Sequence, residues 1–160
     1  MLREMTKEDF DAFWPTFSQV IAAQETYAFD PHMTLEQSHE IWCEVPLKTF
    51  VYVVEGEMLG SYYIKPNAAG PSRHICNCGY MVSENARGKG IARQMCEHSQ
   101  QVAIELGFEA MQFNSVVSSN KIAVELWKRL GFEIIGTIPS AYNHGRLGYV
   151  DSYVMYKRLS

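Results

Sequence analysis

Hydrophobic residues recur along this chain at two spacings, and the switches between them mark out its elements. Phe10, Phe13, Trp14, Phe17, Val20 and Ile21 fall on one helical stripe. Thr6 stands where an N-cap belongs, with Asp9 at the N3 position of a capping box. Pro15 lies inside the stripe and predicts a kink or a late start. "LREM" before it is short enough for a first strand, and "QETYAFDPHM" after it reads as a loop. Thr34 caps a second helix, "LEQSHEIWCEV". The period then drops to two. "KTFVYVVE" and "LGSYYIK", separated by "GEM", predict a hairpin, and "HICNCGYMV" a third long strand after the loop "PNAAGPSR".

The helical period returns with Ile91, Ala92, Met95, Cys96, Ser99, Val102, Ala103 and Leu106, and Gly107 ends that run as a C′ glycine. "FEAMQFNSVV" is a strand. Ser119 or Asn120 opens the next helix, whose stripe is Ile122, Ala123, Leu126, Trp127 and Leu130, and Gly131 closes it. "FEIIGTI" and "YVDSYVMYKRL" finish as strands. The order is β-α-α-β-β-β-α-β-α-β-β. Hairpins in the first half imply antiparallel pairing, and the crossover through residues 90–107 implies a parallel pair. The fold class is therefore α/β, a mixed sheet with helices on both faces.

Composition narrows the function without naming it. A chain of 160 residues, 47% hydrophobic and 20% charged, is expected to form one globular domain over 1–160. A net charge of −4 argues against nucleic acid as a partner. No apolar run is long enough to span a membrane, and "MLREMTKEDFDAF" lacks the apolar core of a signal peptide, so the expected location is cytoplasmic. Cys43, Cys76, Cys78 and Cys96 are then expected to be reduced. Cys76-x-Cys78 has no second Cys/His pair at zinc spacing, so no metal is expected.

Chemistry concentrates in "MVSENARGKGIARQM", where a strand hands over to a helix through Arg87, Gly88, Lys89 and Gly90. Backbone N–H groups at a helix start are unpaired and carry partial positive charge. Glycines admit an anion close to that backbone, and two cations add to the field, so the turn suits a phosphate. A solvated turn is the alternative on this stretch alone. Neither a Walker A loop nor G-x-G-x-x-G is present.

"R-G-K-G-I-A" fits [QR]-x-x-G-x-[GA] through Arg87, Gly90 and Ala92, and "SSNKIAVELWKRLGF" fits N-x-x-A-x-x-[LF]-Y-x-x-x-G-F through Asn120, Ala123, Leu126, Gly131 and Phe132. With a strand before, a long helix between and a strand after, residues 74–138 resemble the GNAT superfamily of N-acetyltransferases. The resemblance implies that superfamily's fold, a mixed six- to seven-stranded sheet with a splayed parallel strand pair, and acetyl-CoA as co-substrate. It implies cofactor contacts at Met81, Val82, Arg87, Gly88, Lys89, Gly90, Ile91, Ala92, Asn120, Ala123 and Trp127. The pantetheine arm would lie in the splay, and Gly79 is placed for the bulge that opens it. Trp127 stands where the family commonly has an acidic Tyr, so packing and cofactor contact are both open for it. A thiol with pKa of about 8.5 leaves tolerably without an acid.

Asn77 and Asn114 interrupt strand runs mid-strand, where a buried amide needs partners. "H-I-C-N-C-G-Y-M-V" and "F-N-S-V-V-S-S-N" resemble the GNAT subgroup that includes fungal azetidine-2-carboxylate acetyltransferases. That likeness implies catalytic or substrate contacts for Asn77 and Asn114 and a catalytic or cofactor contact for Asn120. The alternatives are a strand-stabilising role and a plain N-cap. "ETYAFDPHMTLEQ" and "AYNHGRLGYVD" resemble phosphinothricin-type acetyltransferases, which carry Glu where this chain has Asn77. Tyr27 and Phe29 are expected to line the substrate mouth or to pack in the core. No base is evident; Glu25, Asp30, Glu84 and His144 are candidates by loop position only. The expected activity is transfer of acetyl from acetyl-CoA to a small amine by direct attack in a ternary complex. A protein N-terminal or lysine acetyltransferase and a non-catalytic acyl-CoA-binding module are the alternatives. A homodimer is expected by analogy alone.

Overall fold

In the computed structural model, which describes residues 1–159, one seven-stranded sheet runs in the order β1-β2-β3-β4-β5-β7-β6. The strands are β1 (Leu2–Glu4), β2 (Lys48–Val54), β3 (Glu57–Pro66), β4 (Ile75–Val82), β5 (Ala110–Val117), β6 (Glu133–His144) and β7 (Gly148–Arg158). The helices are α1 (Lys7–Ala23), α2 (Leu35–His39), α3 (Ile91–Glu105) and α4 (Lys121–Arg129). All neighbouring strands pair antiparallel except β4 and β5.

Alternation along β4 divides the core in two. Cys76 and Cys78 face a cluster with Met95, Cys96 and Ala103 of α3 and Val124 and Trp127 of α4. Met81 faces a second cluster with Phe10, Phe13, Phe17 and Ile21 of α1 and Trp42. These helices sandwich the sheet, and most of each stripe read from the sequence is buried or half-buried against it; the exceptions are Leu106 and Ile122, which are exposed, and in α4 Val124 is buried where the stripe placed Ile122.

Helix α1 starts at Lys7 behind the expected capping box and runs unbroken through Pro15, so a late start is wrong. Tertiary packing of its four buried aromatic and aliphatic positions, Phe10, Phe13, Phe17 and Ile21, outweighs the one lost hydrogen bond. The predicted second helix is two pieces. After α2 the chain widens into a π-helical turn, Glu40–Glu44, closed by Val45 N–H to the Glu40 carbonyl at 2.9 Å. That turn carries Trp42 into the core, where its Nε1–H donates to Ser61 Oγ at 2.9 Å.

The β2–β3 hairpin turns at Glu55 and Gly56, both at positive φ (50° and 80°), rather than over "GEM". This is the backbone that matches strand twist in a tight hairpin. The expected bulge at Gly79 is absent: β3 and β4 stay in continuous register from Gly60↔Val82 to Pro66↔Cys76. The irregularity lies in β5, between Phe113 and Val116 against β7. Gly79 serves packing instead. A Cβ there would meet Tyr63 Cε2 at 2.5 Å and the Tyr27 hydroxyl at 2.9 Å. β6 runs well past "FEIIGTI", through irregular register, to His144.

Candidate active site

β4 and β5 pair at only two positions, Ile75↔Ala110 and Cys76↔Met111, and then separate. At the next position a side chain replaces the backbone rung. Asn77 Nδ2–H donates to the Gln112 carbonyl at 2.9 Å, and its Oδ1 accepts from the Tyr63 hydroxyl at 2.9 Å. Asn77 is buried, so both bonds meet the requirement for a satisfied amide. Beyond it the splay opens into two adjoining cavities of about 390 and 740 Å³.

The smaller cavity sits over β3, β4 and β5. Tyr27, Phe29, Asn77, Met81 and Asn114 line it, as do Tyr63, Lys65, Tyr80 and Phe113. Tyr27 is fixed at both ends: its hydroxyl donates to the Tyr80 carbonyl at 2.8 Å, and its own carbonyl accepts from the Tyr142 hydroxyl at 3.0 Å. Its ring stacks on Phe29 at 5.2 Å. Asn114, exposed in the β5 irregularity, accepts from Gln112 Nε2 at 2.9 Å and donates to Asn67 Oδ1 at 2.7 Å. Cys78 also lines this cavity, and burial pushes its thiol well above the ordinary range. It is a protonated, inert thiol at neutral pH.

The larger cavity runs from the end of β4 to the start of α3. Arg87, Gly88, Gly90, Ile91 and Ala92 line it. Gly88 and Gly90 have φ of 79° and 77°, a conformation that favours glycine, and open space stands where a Cβ would project. No side chain caps α3, and its first turn holds no acid. Backbone bonds stop at Arg87 N–H to the Glu84 carbonyl and resume at Gln94 N–H to the Gly90 carbonyl. The N–H groups of Ile91, Ala92 and Arg93 are thus left bare at the positive end of a helix. This donor set fits a pyrophosphate. Lys89 is exposed on the same turn but lines neither cavity.

Six expected cofactor positions, Val82, Arg87, Ala92, Asn120, Ala123 and Trp127, border both cavities and form their junction. Asn120 is the N-cap of α4, accepting from Ala123 N–H at a long 3.4 Å. Trp127 packs against Tyr80 and Phe113, at 5.1 and 5.2 Å between rings, so it serves the core and borders the site at once.

The acidic and basic candidates differ in how they are held. His144 is buried, and its Nδ1 accepts from the N–H groups of Arg146 (3.1 Å) and Leu147 (3.2 Å). That assigns the proton to Nε2, which faces Glu25 at 3.9 Å, and leaves the one lone pair, on Nδ1, engaged by these two backbone donors. Glu25 pairs with Arg146 at 3.1 Å, and Asp30 is occupied by His32 N–H at 2.8 Å. Glu25 and Glu84 both line the larger cavity. Tyr63 and Lys65 were missed by sequence reasoning. Counting register along the hairpin could have found them, since they stand opposite Gly79 and Asn77.

Comparison with known proteins joins this geometry to a family. Residues 6–132 match the model of the Acetyltransferase (GNAT) family. The chain belongs to that family. It is 34% identical over 152 residues to N-acetyltransferase aca1 of Schizosaccharomyces pombe, covering 94% of this chain and 67% of that protein. A GCN5-related N-acetyltransferase from Kribbella flavida superposes with a TM-score of 0.94 at 40% identity, over 99% of this chain and 96% of that one. The fold is shared too with a phosphinothricin acetyltransferase from Sinorhizobium meliloti in complex with acetyl-CoA: TM-score 0.85, 20% identity, 100% and 88% covered. As a GNAT protein the chain is an acetyl-CoA-dependent N-acetyltransferase, and the bare start of α3 is the feature of its sequence that first pointed there.

Proposed function

We propose that this chain, acting as one catalytic domain over 1–160, acetylates the amine of a small molecule. The amine attacks directly in a ternary complex. The observation that carries this reading is a closure across the substrate side. The loop after α1 and the tip of the β6–β7 hairpin are pinned together by Gly145 N–H to the Gln24 carbonyl at 2.8 Å, by Arg146 to Glu25 at 3.1 Å and by Tyr142 to Tyr27. A peptide would need an open groove between those two segments. The small cavity behind them suits a compact acceptor.

Acetyl-CoA supplies an activated acetyl group and a thiolate leaving group. The residues that would hold it are Gly88, Gly90, Ile91 and Ala92 through backbone N–H groups, Arg87 and Lys89 through charge, and Met81 and Val82 through the free edge of the splayed strand. Asn120, Ala123 and Trp127 would form the opposite wall. Asn77 and Asn114 would orient the amine or the thioester carbonyl, while Tyr27 and Phe29 exclude water. An inert Cys78 supports direct attack over an acyl-enzyme, because the cavity offers no ionised thiol nucleophile. With no carboxylate lining the smaller cavity, deprotonation is assigned to water. The four cysteines, all free, suit a reducing cytoplasm. A homodimer would find an uncovered edge strand in β6, where Ile135 and Ile138 are exposed.

A thiol-release assay with acetyl-CoA over small amines and N-terminal peptides tests the reading. Small amines are expected to release thiol and peptides not to; turnover confined to peptides overturns it. In the same assay Asn77→Ala should lower kcat and kcat/KM together by about 100-fold, with KM for acetyl-CoA unchanged.

A further inference from the structure

The gap between β4 and β5 opens where a side chain takes the place of a backbone donor. Ser83 N–H bonds the Leu59 carbonyl at 2.9 Å, and Asn67 N–H bonds the Ile75 carbonyl at 2.8 Å. Backbone direction alternates along a strand, so the odd-numbered residues of β4 turn their N–H and C=O groups to β3 and the even-numbered ones turn theirs to β5. Cys76, opposite Met111, thus spans the Ala110 carbonyl and the Gln112 N–H. In a continued parallel ladder the Cys78 N–H would take the Gln112 carbonyl next. Asn77 Nδ2–H takes it instead, at 2.9 Å, and the pairing ends there. An amide side chain reaches farther than a backbone N–H, so it holds the strands apart and leaves the Cys78 N–H facing the gap. In the residues that follow, between Phe113 and Val116, β5 also breaks register with β7.

Asn77 can act this way in one orientation only, with Nδ2 toward β5 and Oδ1 away from it. Tyr63 holds it there, its hydroxyl donating to Asn77 Oδ1 at 2.9 Å. Tyr63 stands opposite Gly79 and is therefore the diagonal neighbour of Asn77 on the same face of the sheet. The absent side chain at Gly79, whose Cβ would lie 2.5 Å from Tyr63 Cε2, is what lets the ring lean across. Trp42 supports that ring edge-on at 5.0 Å. Burial raises the pKa of the Tyr63 hydroxyl, which keeps it a donor at neutral pH.

Resting on the placement of acetyl-CoA along the splayed edge proposed above, we infer that Tyr63 is a positioning residue that acts through Asn77. It keeps the Asn77 amide on the Gln112 carbonyl, and that contact keeps the Cys78 N–H out of the ladder and available to the thioester carbonyl. The hydrogen bond strengthens in the transition state, when the carbonyl oxygen takes on charge. Tyr63 thus supports kcat from behind Asn77.

Two measurements on the full chain test this. The first is a kinetic cycle, run with whichever acceptor, amine or peptide, wild type turns over fastest, so that its outcome is separate from that of the small-amine reading. Tyr63→Phe should lower kcat about 10-fold, the scale of one hydrogen bond, with KM for acetyl-CoA unchanged. On an Asn77→Ala background the same change should cost less than about twofold, because the two residues act as one unit. Losses that multiply overturn the inference, and so does a fully active Tyr63→Phe. The second is the backbone amide NMR spectrum. In wild type the Cys78 amide proton should move downfield with acetyl-CoA and not with CoA, which has no thioester carbonyl. In Tyr63→Phe that movement should shrink. A wild-type Cys78 amide that answers CoA and acetyl-CoA alike overturns the inference, and this reading needs no variant to fold.

Discussion

Two of the long helices in this protein begin in opposite ways. At α1, Thr6 Oγ1 accepts from Asp9 N–H at 3.1 Å and Asp9 Oδ2 accepts from Thr6 N–H at 2.8 Å. Arg3 then grips the same carboxylate, so the helix start is closed by its own sequence. At α3 a glycine takes the cap position, no side chain reaches the free N–H groups, and the first turn has no acid. Helix α4 lies between these cases, with the Asn120 cap at a long 3.4 Å. A helix start satisfied internally serves stability, while one left bare keeps its donors available to a ligand, the use proposed above for α3. Substitutions at the two ends should therefore fall on different observables.

The largest effect is expected from giving α3 the cap it lacks. Gly90→Asp places a carboxylate where the anion would sit, and Asp tolerates positive φ better than most residues. It should raise KM for acetyl-CoA by about 100-fold, with kcat within about twofold, because pyrophosphate contact is the same in ground and transition states. Initial rates over a range of acetyl-CoA check this. An unchanged KM would mean that the bare turn does not face the cofactor.

That turn was legible because its chemistry is local: two glycines and two cations between a strand and a helix need no tertiary knowledge. The helix stripes and hairpins were legible for the same reason, since burial of one face imposes a period. What escaped depends on distant partners. Asn67 meets Asn114 across 47 positions, and Tyr142 meets Tyr27 across 115. The π-helical turn exists to deliver Trp42 to Ser61, a contact absent from any local pattern. Gly79 was read as a bulge, yet its missing side chain makes room for Tyr63 and Tyr27. The second half of β6 hid because an edge strand exposes most of its residues and loses the alternation that marks buried strands.

The closed end of α1 should respond to acid and leave catalysis untouched. Arg3 beside Asp9, with Thr6, holds that carboxyl down from 3.8 to about 2. A carboxylate depressed in the folded state adds stability that is present above its unfolded pKa and is lost as pH falls through the folded one. Asp9→Asn should thus cost about 1–2 kcal/mol at pH 7, discounted for the partly exposed Arg3, or about 3–6 °C in melting temperature. The gap between wild type and variant should close between about pH 4 and pH 2, as read by thermal melts across that window. KM for acetyl-CoA should stay put. A shift in KM would break the division of labour between the two helix starts.

The smallest effect is expected at Arg87, and it separates charge from backbone within the bare turn. Arg87 is exposed and borders both cavities. The backbone donors of α3 are fixed in place, whereas an exposed guanidinium gives up side-chain entropy to hold one position and acts through screened solvent. Arg87→Ala should therefore raise KM for acetyl-CoA only about fivefold, close to 1 kcal/mol, with kcat unchanged. Salt provides the sharper reading. If Arg87 contributes mainly as a charge, raising ionic strength should weaken wild type more than Arg87→Ala, and the two KM values should converge as the Debye length shrinks from about 10 Å toward 3 Å. A salt-independent gap would instead assign Arg87 a close, desolvated hydrogen bond and move it from the field around the turn into the contact itself.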